Sequence, residues 1–469
     1  MFCDGGRCGR WAEEERPVGK EMSSSNRSKR PLRFRTQFRN TVYDAMLKRG
    51  WRETEGDEWD IHWAERDWIN EHFDTMHLNA WQKVNHFRND RELCRKDLLV
   101  KNLKKYKRQL QRNNSSEADL YDFWPTTYVL PGDYALFAEE FKRNPSSTWI
   151  MKPVGRAQGK GIFIFQKLSQ ISKWKNENRY GGGGSSDATD GSKKSKSEAR
   201  GADAEAYVVQ RYIANPYLVA GRKFDMRIYA LVTTYSPLTV WLYRGGFCRF
   251  SSARYSNSAA DLENVFMHLT NVAIQKKSAD YAKDEHGGKW DLRHLKLYLM
   301  SRYGVVMVDR LFNEIQMIIL RSLLAVQQII IQDKHCFELY GYDVLFDDTF
   351  KPWLVEVNAS PSLSASTPDD YEMKTTMLSS MLDIIDLEGK LKGDEVRVGG
   401  FDLVYRDGHV GSSPGCTYST MLGAEVPSEP TKRRTPSDAA KSIAKPIETP
   451  RSRVKRTSKL AKSPAKSAT

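Results

Sequence analysis

The chain has 469 residues, 40% hydrophobic and 28% charged. That is enough apolar material for two or three packed domains, and it excludes a wholly disordered, collagen-like or disulfide-dense chain. The net charge of +14 is uneven: twelve Lys and Arg against four Asp and Glu put +8 in the last 49 residues, a tail that suits an anionic partner.

Residues 1–30 are polar and rich in Gly and Ser, which predicts disorder, and they lack the apolar run of a secretory signal. Regular apolar and aromatic positions begin at Leu32, and Trp59, Trp63, Trp68 and Phe73 continue an α+β first domain. Between Leu98 and Leu110 apolar residues recur at helical spacing among Lys and Arg, predicting a helix with a solvated basic face. Short strands are expected at Trp149–Lys152 and Ile162–Phe165 around a loop with three glycines. The Gly/Ser/Lys stretch 176–205 reads as a flexible insertion, because folded sequence resumes at Ala206. Long strands are predicted at Phe224–Thr234 and Thr239–Phe250, helices at Leu292–Leu299 and Val305–Ile331, and paired strands at Tyr340–Phe346 and Trp353–Val357. The most apolar helical stretch, Met317 to Ile331, is broken by Arg321, Gln327 and Gln328, so no membrane span is expected. After Arg406 the composition turns Pro/Ser/Lys-rich, and residues 407–469 read as a disordered basic tail. Its Ser/Thr-Pro pairs and Lys432-Arg-Arg434 suit phosphorylation or a nuclear signal, and equally a solvated tail without a role. The six scattered cysteines contain no CxxC pair and point to a reducing compartment, and a zinc site at His335 and Cys336 is disfavoured because strand neighbours face opposite ways.

Four segments carry chemistry. In Gly341–Asn358 two apolar runs flank the polar turn Asp347-Asp348-Thr349-Phe350. Antiparallel pairing about that turn sets Leu345 opposite Leu354 and Asp343 opposite Glu356, with Asn358 on the same face as Glu356. Like charges so opposed repel. A divalent cation removes the repulsion, and two carboxylates with an amide oxygen form a hard site suited to Mg²⁺ and phosphate. In Trp149–Ile162, Gly155, Gly159 and Gly161 allow backbone N–H groups to approach an anion, Arg156 and Lys160 supply charge, and Lys152 leaves a strand just before the loop. The spacing is not that of a Walker A loop; a hairpin flap over phosphates and a plain surface hairpin both fit. In Gly221–Tyr229, Lys223, Asp225 and Arg227 alternate with Phe224, Met226 and Ile228, which makes either an ionic binding face or an exposed edge strand. Arg249 could clamp a carboxylate, Thr270 and Asn271 could hold phosphate or metal, and His268 reads as a general base or as a satisfied structural histidine.

Together these segments resemble the tubulin–tyrosine-ligase-like family over roughly Leu32 to Arg406. The runs Met151-Lys-Pro153, Gln158-Gly-Lys-Gly-Ile162, Gln210-Arg-Tyr-Ile213, Arg222–Arg227, His268-Leu-Thr-Asn271 and Trp353–Leu363 occur in the family's order. The runs Lys334–Asp343 and Arg397–Asp402 are closest to a polyglutamylase branch of it. The resemblance implies an ATP-grasp fold, with mixed and antiparallel sheets and flanking helices, behind an N-terminal α+β domain. Its implied divisions are 31–130, a central domain 131–215, and a C-terminal domain 216–406 with the metal site. It implies ATP phosphates on Lys152, Gln158, Gly159, Lys160, Gly161 and Ile162, and the base at Gln210, Arg211, Tyr212 and Ile213. Lys223, Asp225, Thr270 and Asn271 would also meet the nucleotide, and Asp343, Glu356 and Asn358 would bind Mg²⁺. Arg227, Lys152 and Lys160 would serve the transferred phosphoryl group. Arg249, Lys289 and Lys374 would hold the incoming amino acid.

The implied reaction is ATP-dependent addition of free L-glutamate to glutamates of the acidic tubulin tails through an acyl phosphate. Glycine or tyrosine as the added residue, and a non-catalytic microtubule-binding protein, are the competing readings. A cytoplasmic, cytoskeletal and ciliary or basal-body address comes only from the family. Nucleic acid is disfavoured, since the basic tail lacks interleaved aromatics.

Overall fold

Three sheets and the helices packed on them make up the protein in a computed structural model that describes residues 30–156, 158–171, 206–281, 288–411 and 417–427. The expectations for 1–29, for the insertion 176–205, for the tail beyond 427 and for Cys3, Cys8 and Cys416 lie outside the described residues. The first sheet is parallel, in the order β2 (Arg52–Glu53), β1 (Arg33–Thr36), β3 (Ile61–Trp63) and β4 (Lys83–Val84). The second is antiparallel: β5 (Thr127–Leu130), β8 (Tyr207–Arg211), β6 (Trp149–Pro153) and β7 (Phe163–Phe165). Its core of Leu130, Phe137, Trp149, Met151, Phe165 and Val209 is a separate cluster.

The third sheet has eight strands and is built on β10 (Arg222–Tyr235) and β11 (Leu238–Phe250). Around them lie β9 (Leu218–Val219), β12 (Lys289–Asp291), β13 (Glu338–Phe346), β14 (Pro352–Asn358), β15 (Arg397–Val398) and β16 (Phe401–Arg406). Every residue of β11 and of β13 is buried, as expected of strands covered on both faces. Period-two alternation separates the faces. Met226, Ile228, Ala230, Tyr340, Tyr342 and Val344 pack into one core with Leu311, Phe312, Ile315 and Ile319 of the Val305–Leu324 helix. Tyr229, Leu231, Trp241 and Leu339 pack into another with Met377 and Met381 of the Pro368–Ile385 helix. Both cores also include residues from the first hundred positions, such as Trp59, Phe87, Phe34 and Trp63, so the N-terminal segment shares its interior with the large sheet. The expected α+β class is observed, with parallel and antiparallel sheets together.

Three expectations need correction. The helix predicted to Ile331 ends at Leu324, and Gln327 Nε2 and Gln332 Oε1 instead bond the carbonyl and N–H of Tyr235 at 3.2 and 2.6 Å, closing the β10–β11 corner. The Lys223/Asp225/Arg227 strand is not an exposed edge: β10 lies between β11 and β13 with its cations buried. The tail read as disordered from 407 is packed in part. Leu422 is 1% exposed, its carbonyl accepts Lys296 Nζ at 2.7 Å, and Thr420 Oγ1 bonds Gln316 Oε1 at 2.5 Å. The apolar run Met421–Val426 is too short to show a period, so composition alone misses it. The described cysteines Cys94, Cys248 and Cys336 are unpaired thiols, and no helix of the described residues is long and apolar enough to cross a membrane.

Candidate active site

Register builds the site. Across neighbouring strands, Arg227 on β10 pairs with Asp343 on β13, and Asp343 with Glu356 on β14, which puts three ionic side chains in one row. The next ionic row sets Asp225 on β10 against Arg249 on β11 and Arg249 against Lys289 on β12. The predicted Asp343–Glu356 opposition is observed, but the predicted Leu345–Leu354 pair is not: Leu345 faces Trp353. Asp347 organises a turn one residue longer than the polar run suggested, accepting the N–H groups of Thr349 at 3.0 Å and Lys351 at 3.1 Å. The register irregularity between Asp343 and Val344 then restores the pairing at the acidic row.

The buried charges form a chain. Asp343 accepts Arg227 Nε on Oδ1 at 2.5 Å and Nη2 on Oδ2 at 3.1 Å, and Arg249 Nη2 lies 2.7 Å from the same Oδ2. Arg249 also holds Asp225, with Nε at 2.9 Å and Nη2 on the second oxygen. Burial alone would push Asp343 up, but the two guanidinium groups outweigh it and hold the carboxyl well below the usual carboxylate range. Asn358 Nδ2 donates to the Gly341 carbonyl at 3.1 Å, leaving its amide oxygen for a ligand. Glu356 is only part-buried, and Lys96 Nζ lies 3.7 Å from its Oε2. An ionised carboxylate, a second carboxylate and an uncommitted amide oxygen fit a hard divalent cation such as Mg²⁺.

Facing this row is a cleft open to solvent, with about 1040 Å³ of space when its open mouth is included. Its lining brings together Lys152, Gln158, Gly159, Ile162, Gln210, Arg211, Tyr212, Ile213, Lys223, Asp225, Arg249, Thr270, Asn271, Asp343, Glu356 and Asn358. The glycine loop is the expected hairpin, with Trp149 opposite Phe165 and Met151 opposite Phe163. Gly159 sits at φ +76°, a backbone conformation that favours glycine, and its missing side chain lets the flap pack against Ile274. Lys152 Nζ donates to Gln210 Oε1 at 2.8 Å, and Gln210 Nε2 to Thr127 Oγ1 at 2.9 Å. Lys223 Nζ donates to Tyr212 OH and to the His268 carbonyl, both at 3.0 Å. Burial lowers both ammonium groups, Lys152 to about 8 against the pull of Glu356 and Asp343, and Lys223 to about 7 against that of Asp225. His268 is buried, bonded through Nδ1 to Tyr212 OH at 2.9 Å and through Nε2 to the Asp261 carbonyl at 3.0 Å. This is the structural-histidine reading.

Other candidates lie elsewhere. Lys160 is exposed on the flap and does not line the cleft. Arg227 lies behind the lining, on Asp343. Lys289 and Lys374 meet around one carboxylate, Asp370: Lys289 Nζ at 2.9 Å, and Lys374 Nζ at 3.1 Å from one oxygen and 3.2 Å from the other. Lys289 borders a neighbouring cavity with Phe247, Trp290 and Met373. Sequence reasoning missed Lys96 and Asp370. Lys96 sits in no recognisable motif, and only tertiary packing brings it to Glu356, whereas Asp370 stands four residues before Lys374 on one helix, a spacing the sequence does carry.

Among the described residues one further polyvalent cluster exists, His86, Asp90 and Glu338, all buried. Its groups are already partnered: His86 Nδ1 lies 2.9 Å from Glu338, Phe87 N–H and Tyr340 OH bond Glu338, and Arg66 clamps Asp90 at 2.7 and 2.9 Å.

Comparison with known proteins agrees with this geometry. The model of the tubulin-tyrosine ligase family matches residues 73–392. A protein named "Probable tubulin polyglutamylase TTLL9" from Bos taurus is 46% identical over 415 residues, covering 85% of this chain and 88% of that protein. Its counterpart from Caenorhabditis elegans is 43% identical over 420 residues, 87% and 95% of the two chains. A "Probable alpha-tubulin polyglutamylase Ttll1" from Tetrahymena thermophila is 45% identical over 398 residues, 80% and 92%. A family match over more than half the chain and relatives aligned along nearly their whole length leave one conclusion: this protein belongs to the tubulin-tyrosine ligase family.

Proposed function

We propose that the protein is an ATP-dependent ligase of the ATP-grasp type that adds glutamate to glutamate residues of tubulin tails. The observation that carries the reading is the Arg227–Asp343–Glu356 row, with Asn358 beside it, facing a cleft lined by Lys152, Lys223 and the glycine flap. The names of the relatives supply the acceptor and the added residue. Cytoskeletal microtubules, those of cilia and basal bodies included, are the location this reading assigns.

A carboxylate resists attack by an amine because its leaving group would be oxide. Transfer of the γ-phosphoryl group of ATP to a carboxylate oxygen of the acceptor makes an acyl phosphate. The amine of free glutamate then attacks the acyl carbon, the C–O bond to phosphate breaks, the nitrogen loses a proton, and an amide and inorganic phosphate remain. Mg²⁺, when bound, offsets phosphate charge. Asp343, Glu356 and Asn358 would hold it. Lys152 and Lys223, already desolvated, would bind phosphate oxygens at low reorganisation cost. Arg227 and Arg249 keep Asp343 ionised, and Arg249, which lines the cleft and pairs across the strands with Lys289, would meet the donor carboxylate. Flap closure over the nucleotide would exclude water that would otherwise hydrolyse the acyl phosphate.

An acidic acceptor is matched by Lys101, Lys105, Arg108 and Arg112. They recur along the exposed face of the Lys96–Arg112 helix, opposite buried Leu99 and Leu103. The test is mass spectrometry of tubulin incubated with ATP, Mg²⁺ and an equimolar mixture of glutamate, glycine and tyrosine. Mass increments of glutamate, lost in Glu356→Gln, are expected. Glycine or tyrosine increments would move the assignment to another ligase of the family, and no increment in the wild type would overturn it.

A further inference from the structure

Lys96 is the first residue of the Lys96–Arg112 helix. That helix is fixed by burial of Leu99, Val100 and Leu103, and a small void lined by Leu99, Lys152, Gln210 and Glu356 shows that it abuts the floor of the cleft. The side chain is 20% exposed and lines the cleft. The other buried cations there are committed: Lys152 to Gln210, Lys223 to Tyr212 and His268, and Arg249 to Asp225 and Asp343. Among the described residues Lys96 Nζ makes no hydrogen bond; its one close partner is Glu356 Oε2 at 3.7 Å, too far for one. Among the described residues no other cation comes within ion-pair distance of Glu356, although Lys152 is near enough to feel its charge. An ammonium with three uncommitted donors therefore stands next to the carboxylate assigned to a divalent cation.

We propose that Lys96 is a placeholder cation for the metal site. It balances Glu356 while the cleft is empty, and when a divalent cation takes Glu356 its ammonium turns on its flexible stem to the phosphates of the nucleotide. The inference rests on the reading of Glu356 as a metal ligand. Two like charges cannot share one carboxylate at low cost, so metal binding expels the ammonium. The phosphates entering with the metal are the nearest anions able to take three donors. The residue thus couples metal and nucleotide: the metal alone must displace Lys96, whereas the metal–nucleotide complex gives it a new partner.

The test measures binding without turnover. Mn²⁺ affinity is read by electron paramagnetic resonance without nucleotide, and affinity for a non-hydrolysable ATP analogue by calorimetry with Mg²⁺, for wild type, Lys96→Met, Lys96→Arg and Glu356→Gln. Removing the competing charge in Lys96→Met is expected to tighten Mn²⁺ binding by roughly threefold to tenfold, and loss of the phosphate contact to weaken the analogue by about tenfold or more. Lys96→Arg should stay within about threefold of wild type for the analogue, since it keeps charge and donors. Opposite signs for the two ligands distinguish displacement from a folding defect, which would weaken both. Lys96→Met affinities equal to wild type, or weakened together, overturn the placeholder role while leaving the metal reading intact. Equal Mn²⁺ affinity in wild type and Glu356→Gln would overturn the metal reading, and the placeholder with it.

Discussion

Lys152 and Lys223 show how burial sets the state of a side chain before any ligand arrives. Each keeps neutral hydrogen-bond acceptors, yet burial lowers their values to about 8 and about 7. At pH 7 about half the charge of Lys223 is therefore withheld, and by pH 8 about half that of Lys152 as well. Phosphate oxygens restore the charged form, so nucleotide binding should take up protons. Calorimetry of an ATP analogue in buffers of different ionisation enthalpy should show uptake on the order of one proton at pH 8, fading below pH 6, where both lysines are already charged. Lys223→Met should lose the larger part of it. Proton release, or uptake independent of pH, would remove these lysines from the phosphate site. The same two residues were legible in the sequence. Lys152 leads into a glycine-rich loop and Lys223 lies on an alternating ionic strand, so sequence pattern exposed both. Lys96 is one cation in a lysine-rich helix, and nothing local separates the one beside Glu356 from those facing solvent.

At the scale of elements, strand alternation carried most of what could be read in advance. The β10, β11, β13 and β14 strands and the Asp343–Glu356 opposition follow from period two and one polar turn. The irregularity at Val344 did not, because the bonds accepted by the Asp347 carboxylate set the turn length, and a symmetric count cannot see them. The His86–Asp90–Glu338 cluster was invisible for the same kind of reason: it joins β13 to a loop some 250 positions earlier. It also makes a prediction. Burial raises Glu338 from its ordinary 4.5 to about 8 against the bonds from Phe87 and Tyr340. The folded state thus keeps a proton that the unfolded chain releases near 4.5, and stability falls as pH rises from 4.5 to 8. Below about 6.5 the depressed value of His86 opposes the trend, and the raised value of Asp90 adds to it below about 6. Glu338→Gln mimics the protonated acid. Its carbonyl can accept Phe87 N–H and Tyr340 OH, and its amide can donate to His86 Nδ1 in the tautomer that accepts there. Denaturant unfolding should find this variant more stable than wild type by roughly 1–3 kcal/mol at pH 8 and nearly equal to it at pH 5. The difference between the two curves isolates Glu338 from Lys152 and Lys223, whose lowered values act the other way above pH 7. A variant less stable at pH 8 would mean that Glu338 is ionised in the folded protein.

Across the whole molecule, charge is spent in two ways that respond differently to salt. Inside the cleft the Arg227–Asp343–Arg249–Asp225 chain is buried and self-compensating. Outside, the molecule is positive, and Lys101, Lys105, Arg108 and Arg112 lie along one exposed helix face with no ion-pair partner among the described residues. Exposed charges are screened over about 8–10 Å at 0.1–0.15 M salt, and buried ones much less. A long polyanionic acceptor and a small donor should therefore separate. Raising KCl from about 50 to 200 mM should increase the KM for polymerised tubulin several-fold, with the KM for glutamate and the kcat changing less than about twofold. Replacing the four helix cations with Gln keeps helix propensity while removing the charge, and should raise the low-salt KM for tubulin and flatten its salt dependence. Neutralising exposed Lys142 and Arg310, on other helices, should do neither. Parallel salt curves for the wild type and the four-residue variant would mean that the acidic tails are gripped elsewhere, with this face remaining the solvated surface its composition first suggested.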